Sequence, residues 1–285
     1  MTNVAFIGTG LLGSGMVERM LGQGDRVTVW NRTQSKAHAL EKVGATVAPT
    51  AADAVRGAAR VHLALPDDTV VDAVMASIRP HLLADAIVVD HSTTAPAGTA
   101  ARLARMAQDG VGFLHAPVFM SPQMCRDGVG LMMVSGPARL VDAARPALAR
   151  MTGEVWYVGE RPDLAASYKL FGNAMILTIV AGLADVMAMA TGVGIDLKDA
   201  VALFSKFQPG VAIPMRSEKM ARGDFSAMFE MVMARKDVRL MMEAAAGRPL
   251  TVLPAIAIRM DEAIADGHGR DDVVALAARV VPAMK

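Results

Sequence analysis

Short β-rich apolar runs alternate with stretches of helical spacing over the first half of this chain, and then the β-rich runs stop. Val4-Ala5-Phe6-Ile7, Arg26-Val27-Thr28-Val29-Trp30, Thr46-Val47-Ala48, Val61-His62-Leu63-Ala64-Leu65 and Ala86-Ile87-Val88-Val89 read as strands. Gly112 to Val118, Leu131 to Val134 and Val155 to Val158 continue the series. Helical spacing lies between them at Met16-Val17 and Met20-Leu21, from Ser35 to Val43, at Val70, Val71, Val74 and Ile78, from Ala97 to Asp109 and from Ala138 to Arg150. Phe119 to Gly128 reads as a loop. This alternation predicts a Rossmann-type, doubly wound sheet over residues 1–162. Residues 163–285 read as an all-α domain that opens with a long interdomain helix, so the fold class is α/β with a helical C-terminal domain. Turns are expected at Gly192-Val193-Gly194, Gln208-Pro209-Gly210, Gly223-Asp224, Gly247-Arg248-Pro249 and Asp266-Gly267-His268-Gly269.

The run from Ala174 to Ile195 holds one charge, Asp185, and is long enough to span a bilayer. It also contains Gly182, Gly192 and Gly194, and Lys169 stands one turn before it. A helix apolar all round is equally the product of a domain core, so a buried helix of a soluble protein is expected, with no membrane partner. The 22 methionines, many of them late in the chain (Met228, Met231, Met233, Met241, Met242), suit core filling and subunit contact.

The first strand runs directly into Gly8-Thr9-Gly10-Leu11-Leu12-Gly13, followed by a helix. In that setting the first glycine permits a tight turn. The second lets backbone approach a pyrophosphate, and the third lets helix pack on strand. The end of the second strand carries Asn31-Arg32-Thr33 with Lys36 one turn on, and no acid. A carboxylate there would bind a ribose 2′-hydroxyl, whereas a guanidinium grips a 2′-phosphate, so the expected cofactor is NADP(H). Leu65-Pro66-Asp67 and Ser92-Thr93 follow strand ends and are expected to line the same groove. His91, beside them, reads as a structural histidine.

Composition narrows the field. The chain has 285 residues, 53% hydrophobic and 20% charged, enough for a large core. A net charge of +1 gives no reason to expect nucleic acid. Six scattered histidines lack metal-ligand spacing, and no metal site is expected. Cys125 is the only cysteine, so no internal disulfide forms; with no signal-peptide pattern at the start, a cytoplasmic protein is expected. Cys125 has no histidine partner in sequence and is not expected to act as a nucleophile.

Lys169 and Asn173 are four apart in Ser167-Tyr168-Lys169-Leu170-Phe171-Gly172-Asn173 and share one helix face. A lysine on an apolar helix must reach a cleft, a partner or solvent, and a cleft shared with the nucleotide is the expectation.

With the glycine turn, His115-Ala116-Pro117-Val118 followed by Gly128 and Met133-Val134, the Lys169/Asn173 pair, and Lys236-Asp237, the chain resembles the β-hydroxyacid dehydrogenase family, which includes 3-hydroxyisobutyrate dehydrogenases and glyoxylate/succinic semialdehyde reductases. The resemblance covers nearly the whole chain. It implies an NADP(H)-dependent oxidoreductase moving hydride between nicotinamide and a semialdehyde, 2-keto acid or 3-hydroxy acid. Lys169 would be general acid and base, with Asn173 binding the same end of the substrate. Thr93 would touch the nicotinamide ribose, and Lys236 would close over the cofactor. A homodimer or homotetramer is the family's habit.

One segment departs from the family. Its usual Asp-Ala-Pro-Val-Ser-Gly-Gly presents backbone N–H groups to a substrate carboxylate. Here Phe119-Met120-Ser121 replaces Ser-Gly-Gly, and Pro122, which has no N–H, follows. Phe119, Met120, Ser121 and Gln123 are expected to contact substrate with Lys169 and Asn173, and Arg126 to add a polar contact. Two readings stay open: an altered substrate, bulkier or less acidic, or a backbone cradle that survives with the side chains turned away. Two other functions are carried beside the first: an imine reductase-like NADPH enzyme, although those typically lack this lysine, and an NADP(H)-binding protein with no chemistry.

Overall fold

The computed structural model describes residues 2–281. They divide after Asn173 into two compact units, and one helix contributes to both.

The first unit carries β1 (Asn3–Ile7), α1 (Leu11–Gly22), β2 (Arg26–Trp30), α2 (Gln34–His38), β3 (Thr46–Val47), α3 (Ala51–Ala54), β4 (Arg60–Leu63), α4 (Asp68–Ile78), β5 (Ile87–Asp90), α5 (Pro96–Gln108) and β6 (Gly112–His115). After these come β7 (Val118–Phe119), α6 (Pro122–Asp127), β8 (Leu131–Ser135), α7 (Ala138–Leu148), β9 (Glu154–Gly159) and the start of α8 (Leu164–Gly192). The strands form one sheet in the order β3-β2-β1-β4-β5-β6-β8-β7, with β9 also paired to β8. From β3 to β6 every pairing is parallel. That half has the dinucleotide-binding order, with the crossover reversing beside β1.

Side chains alternate across the sheet, and both faces are covered. Val4, Phe6, Val27, Val29, Leu114 and Met132 pack on one side. Ala5, Ile7, Val61, Leu63, Val88 and Phe113 pack on the other. This is why the strands read as continuous apolar runs rather than as alternating ones.

Several boundaries differ from expectation. The sixth strand stops at His115; Pro117, which offers no N–H, separates it from β7, and β7 pairs antiparallel with β8. The expected loop from Phe119 to Gly128 contains α6. The Ser121 hydroxyl accepts the Met124 N–H at 3.2 Å, Pro122 presets the first turn, and Gly128 ends the helix at φ +69°. The expected helix from Ser35 to Val43 is α2 followed by a separate 3-10 turn at Glu41–Val43. The short helix α3, capped by Thr50, was not expected.

The second unit is helical. After α8 come α9 (Leu197–Ala202), α10 (Ile213–Ala221), α11 (Met231–Ala244) and α12 (Leu253–Ala265). Met231, Ala234, Val238, Leu253, Ala257 and Met260 make its core. Asp185, the lone charge in the apolar run, is 2% exposed. Burial pushes its carboxyl pKa up, but the backbone N–H groups of Thr251, Val252 (3.0 Å) and Leu253 (2.9 Å) hold it below the usual range. It thereby caps the start of α12, whose first N–H groups have no partner of their own.

The expectation that α8 is buried is corrected. Only 11% of its most apolar window is buried, and Leu177 and Val180 are 68% and 58% exposed. Its own unit uses Asp185 and Ala190 and leaves most of the apolar surface uncovered.

Candidate active site

The glycine turn shows three separate reasons for its three glycines. Gly8 sits at φ +99°, and a Cβ there would stand 2.2 Å from the Ala64 carbonyl oxygen. A Cβ at Gly13 would stand 2.0 Å from the Gly8 carbonyl oxygen, so α1 packs as close to the turn as backbone allows. Gly10 has nothing within 4 Å of its own Cβ position. The space above it is open at the start of α1, where backbone N–H groups favour phosphate. This geometry fits a dinucleotide pyrophosphate.

A groove of about 940 Å³ opens from that turn. Gly8, Gly10, Leu11, Leu12, Gly13, Asn31, Arg32, Thr33, Lys36, Leu65, Pro66, Ser92 and Thr93 line it as expected. Two expected residues of the first unit do not. Thr9 is 2% exposed and gives its backbone N–H to Asn31 Oδ1 at 3.0 Å, so that N–H is not free for phosphate. Asp67 caps α4 by accepting the Val70 N–H at 2.9 Å. Sequence reasoning missed Trp30, Thr69, Val70 and Ala73, which also line the groove. The turn Pro66-Asp67-Asp68, followed at once by helical spacing, was the signal that the first turn of α4 would face it.

Asn31 has a structural task at the end of β2. Its Oδ1 holds the glycine turn, and its Nδ2 donates to the Thr33 carbonyl at 2.9 Å. Arg32 and Lys36 are exposed and make no ion pair among the described residues. Ser92 Oγ accepts the Leu65 N–H at 2.9 Å and ties the ends of β4 and β5 together.

Behind this wall three rings stack: Phe6, His62 and His91. Arg60 Nε donates to His62 Nε2 at 2.8 Å, and a guanidinium only donates. The His62 proton is therefore on Nδ1, which donates to His91 Nε2 at 2.9 Å. His91 Nδ1 in turn donates to the Ala116 carbonyl at 2.7 Å. Burial keeps both rings neutral, taking His91 down to about 4 and His62 well below its ordinary value. The geometry gives His91 a supporting role, in line with its reading from sequence.

The Ala116 carbonyl leads to Lys169. Two residues further along, the Val118 carbonyl accepts a hydrogen bond from Lys169 Nζ at 2.8 Å. The segment that holds the lysine is thus fixed to the residue that backs the groove. Burial pushes the half-buried Lys169 ammonium below the ordinary lysine pKa. The Phe119 ring lies over it, with Nζ 4.2 Å from the ring centroid. Asn173 is half-buried on the same helix face.

Helix α6 is clamped to α1. A Cβ at Gly15 would stand 2.6 Å from the Pro122 carbonyl oxygen, and Arg126 pairs with Glu18 at 2.8 and 3.2 Å. The remaining polar groups of the segment are also engaged within it. Ser121 caps α6, and Gln123 donates to Asp127 at 2.9 Å. Met120 is half-buried and Cys125 is buried, with its thiol pushed up to about 11. Lys236 lies on α11 in the second unit, paired with Asp237 at 2.8 Å.

Residues 3–159 match the family model described as the NAD binding domain of 6-phosphogluconate dehydrogenase. The 3-sulfolactaldehyde reductase of Escherichia coli is 28% identical over 287 residues, covering 98% of this chain and 96% of its own. An NAD-dependent L-serine dehydrogenase of Pseudomonas aeruginosa is 28% identical over 86% of each chain. An imine reductase from Myxococcus stipitatus, solved in complex with NADP+, superposes with a TM-score of 0.89 at 22% identity over 97% of this chain and 99% of its own, a likeness of fold. The sheet order, the glycine turn and these relatives agree: the chain belongs to the β-hydroxyacid dehydrogenase family of NAD(P)-dependent oxidoreductases, built on the NAD binding domain of 6-phosphogluconate dehydrogenase.

Proposed function

We propose that this protein is an NADP(H)-dependent oxidoreductase that interconverts a small carbonyl compound and its alcohol, within the family's range of semialdehydes, keto acids and hydroxy acids. One observation carries the reading. Lys169, its pKa lowered by burial, is fixed to the segment behind the groove that fits a dinucleotide. When bound, the cofactor supplies chemistry as hydride to or from C4 of its nicotinamide ring. The Lys169 ammonium hydrogen-bonds the carbonyl oxygen, holds the negative charge that develops there and protonates it. In balance, hydride joins the carbonyl carbon, the C=O π pair moves to oxygen, and an N–H proton of Lys169 completes the alcohol. Water then reprotonates the amine. A lowered pKa makes this proton easier to give.

Asn173 shares the helix face of Lys169 and is assigned to the same end of the substrate. Thr93 is assigned to the nicotinamide ribose and Lys236 to the cofactor. Arg32, with Lys36 beside it, supports NADP(H) over NAD(H): both are exposed cations in the groove, and no acid follows β2. A screen of NADPH consumption over small aldehydes, keto acids and imines tests the reading. Turnover of at least one carbonyl, faster with NADPH than NADH, is expected. Tight NADPH binding without turnover of any would support a non-catalytic sensor instead.

Imine reduction is the second reading. The segment from Phe119 to Gln123 carries no cationic side chain to meet an acid, which suits an uncharged C=N as well as a C=O. Faster turnover of 2-methyl-1-pyrroline than of any aldehyde would select it.

We also assign the uncovered face of α8 to a second copy of the chain, in a cytoplasmic homodimer or homotetramer. An apolar face of this extent on one chain calls for a partner. Light scattering in detergent-free buffer is expected to give an integral multiple of 29.9 kDa, two or more. A detergent-dependent monomer would contradict this.

A further inference from the structure

We infer that Phe119, seated against Gly172 and lying over Lys169, makes this site select uncharged carbonyl substrates over those that carry a carboxylate. The inference rests on the hydride-transfer reading above and departs from the acids named there.

The ring occupies its place because residue 172 has no side chain. A Cβ at Gly172 would stand 2.1 Å from Phe119 Cζ and under 3 Å from both Cε atoms. Lys169 and Gly172 are three apart on one helix and share a face, so the notch and the ammonium lie side by side. The ring meets the ammonium face-on, a cation–π contact that satisfies the charge without adding a counter-ion.

What remains of the ammonium suits one oxygen. Of its three N–H groups, one goes to the Val118 carbonyl at 2.8 Å, and one side is covered by the ring. A single open direction serves a carbonyl oxygen. A buried carboxylate needs more, because each oxygen left without a donor is costly.

The other polar side chains of the segment are held within α6 or against α1, and Arg126 is the only cation among them. Ser121 Oγ accepts the Met124 N–H, and the Ser121 N–H faces Met124 Sδ at 3.5 Å. Gln123 serves Asp127 and Arg126 serves Glu18. Pro122 has no N–H. The apolar groups of the segment are the Phe119 ring, which lies over Lys169, and the Met120 and Met124 side chains, which lie within 3 Å of the Gly130 Cβ position. The inference takes the first of the two readings left open from sequence, an altered substrate.

The test compares butanal with 4-oxobutanoate, which differ by one carboxylate, as substrates of the intact enzyme with NADPH. Wild type is expected to favour butanal in kcat/KM by at least about tenfold, the scale at which a pocket discriminates one polar group. Phe119→Ser should lower that ratio at least about tenfold, and Phe119→Leu should retain most of it. Gly172→Ala should shift it in the direction of the serine variant, because the new methyl displaces the ring. A second readout does not depend on turnover: calorimetric Kd values for isobutyramide and isobutyrate on the NADP+ complex. Tighter isobutyramide binding in wild type, reversed in Phe119→Ser, supports the inference. A wild-type preference for 4-oxobutanoate, ratios within twofold, tighter isobutyrate binding or binding of neither would overturn it. If neither aldehyde turns over, the binding pair alone decides the selectivity, and the wider screen decides hydride transfer.

Discussion

The proposed NADP(H) preference rests on Arg32, and Arg32→Ala isolates its contribution. Arg32 is exposed at the groove and forms no ion pair among the described residues, so its loss leaves no buried charge and no broken network behind. The whole effect should fall on a ligand that carries a 2′-phosphate. A hydrogen bond to a charged group is worth roughly 1.5–3 kcal/mol. Arg32 is open to water and Lys36 remains one turn away, so the lower part of that range applies. A loss of about 1.5–2 kcal/mol corresponds to a Kd for NADPH about 10- to 30-fold weaker. NADH binding should stay within about twofold, since its ribose has no charge for the guanidinium to meet. Trp30 lines the groove, so quenching of its emission during titration reads both affinities directly. Raising the salt should narrow the preference for NADPH more in wild type than in the variant, which keeps only Lys36, because exposed ion pairs are screened. Equal weakening of NADPH and NADH, or no weakening of either, would refute the 2′-phosphate assignment.

Three other perturbations probe the frame around the site. Gly13→Ala places a methyl 2.0 Å from the Gly8 carbonyl oxygen, so NADPH affinity should fall at least tenfold in the same titration; unchanged affinity would contradict the packing. Asp185→Ala leaves three backbone N–H groups at the start of α12 without their acceptor and should lower unfolding stability in urea by about 3–5 kcal/mol, with Asp185→Asn losing less. His62 and His91 are held below their unfolded value of about 6.5, so each is neutral in the folded protein while the unfolded chain takes up protons as pH falls. Their contribution is therefore complete above pH 6.5 and is lost down to about 4 for His91, a change of roughly 3 kcal/mol for that residue. Urea midpoints that stay flat from pH 7 to pH 5 would contradict buried neutral imidazoles.

What could be read from sequence was what local chemistry dictates. The glycine turn was legible because each of Gly8, Gly10 and Gly13 answers to its immediate neighbours. The doubly wound sheet followed from strands alternating with helices. Helix α6 had a local signature, Ser121-Pro122 at its start and Gly128 at its end, that was read as loop. Other features depend on residues far apart in the chain. Asp185 caps a helix that begins at Leu253. His62 meets His91 only because β4 and β5 are neighbours in the sheet. Phe119 reaches Lys169 because residue 172 leaves room for the ring. The exposure of α8 was hidden for a different reason. Apolar periodicity shows that a surface needs covering but does not say whether the same chain covers it.

The direct test of Lys169 as general acid is kcat for Lys169→Ala on the best carbonyl substrate, with NADPH affinity measured alongside. A positioned acid supplies about 10²- to 10⁴-fold, so kcat should fall at least a hundredfold while NADPH affinity holds, with partial recovery on adding methylamine. A fall in kcat of under tenfold would contradict the assignment of proton transfer to Lys169.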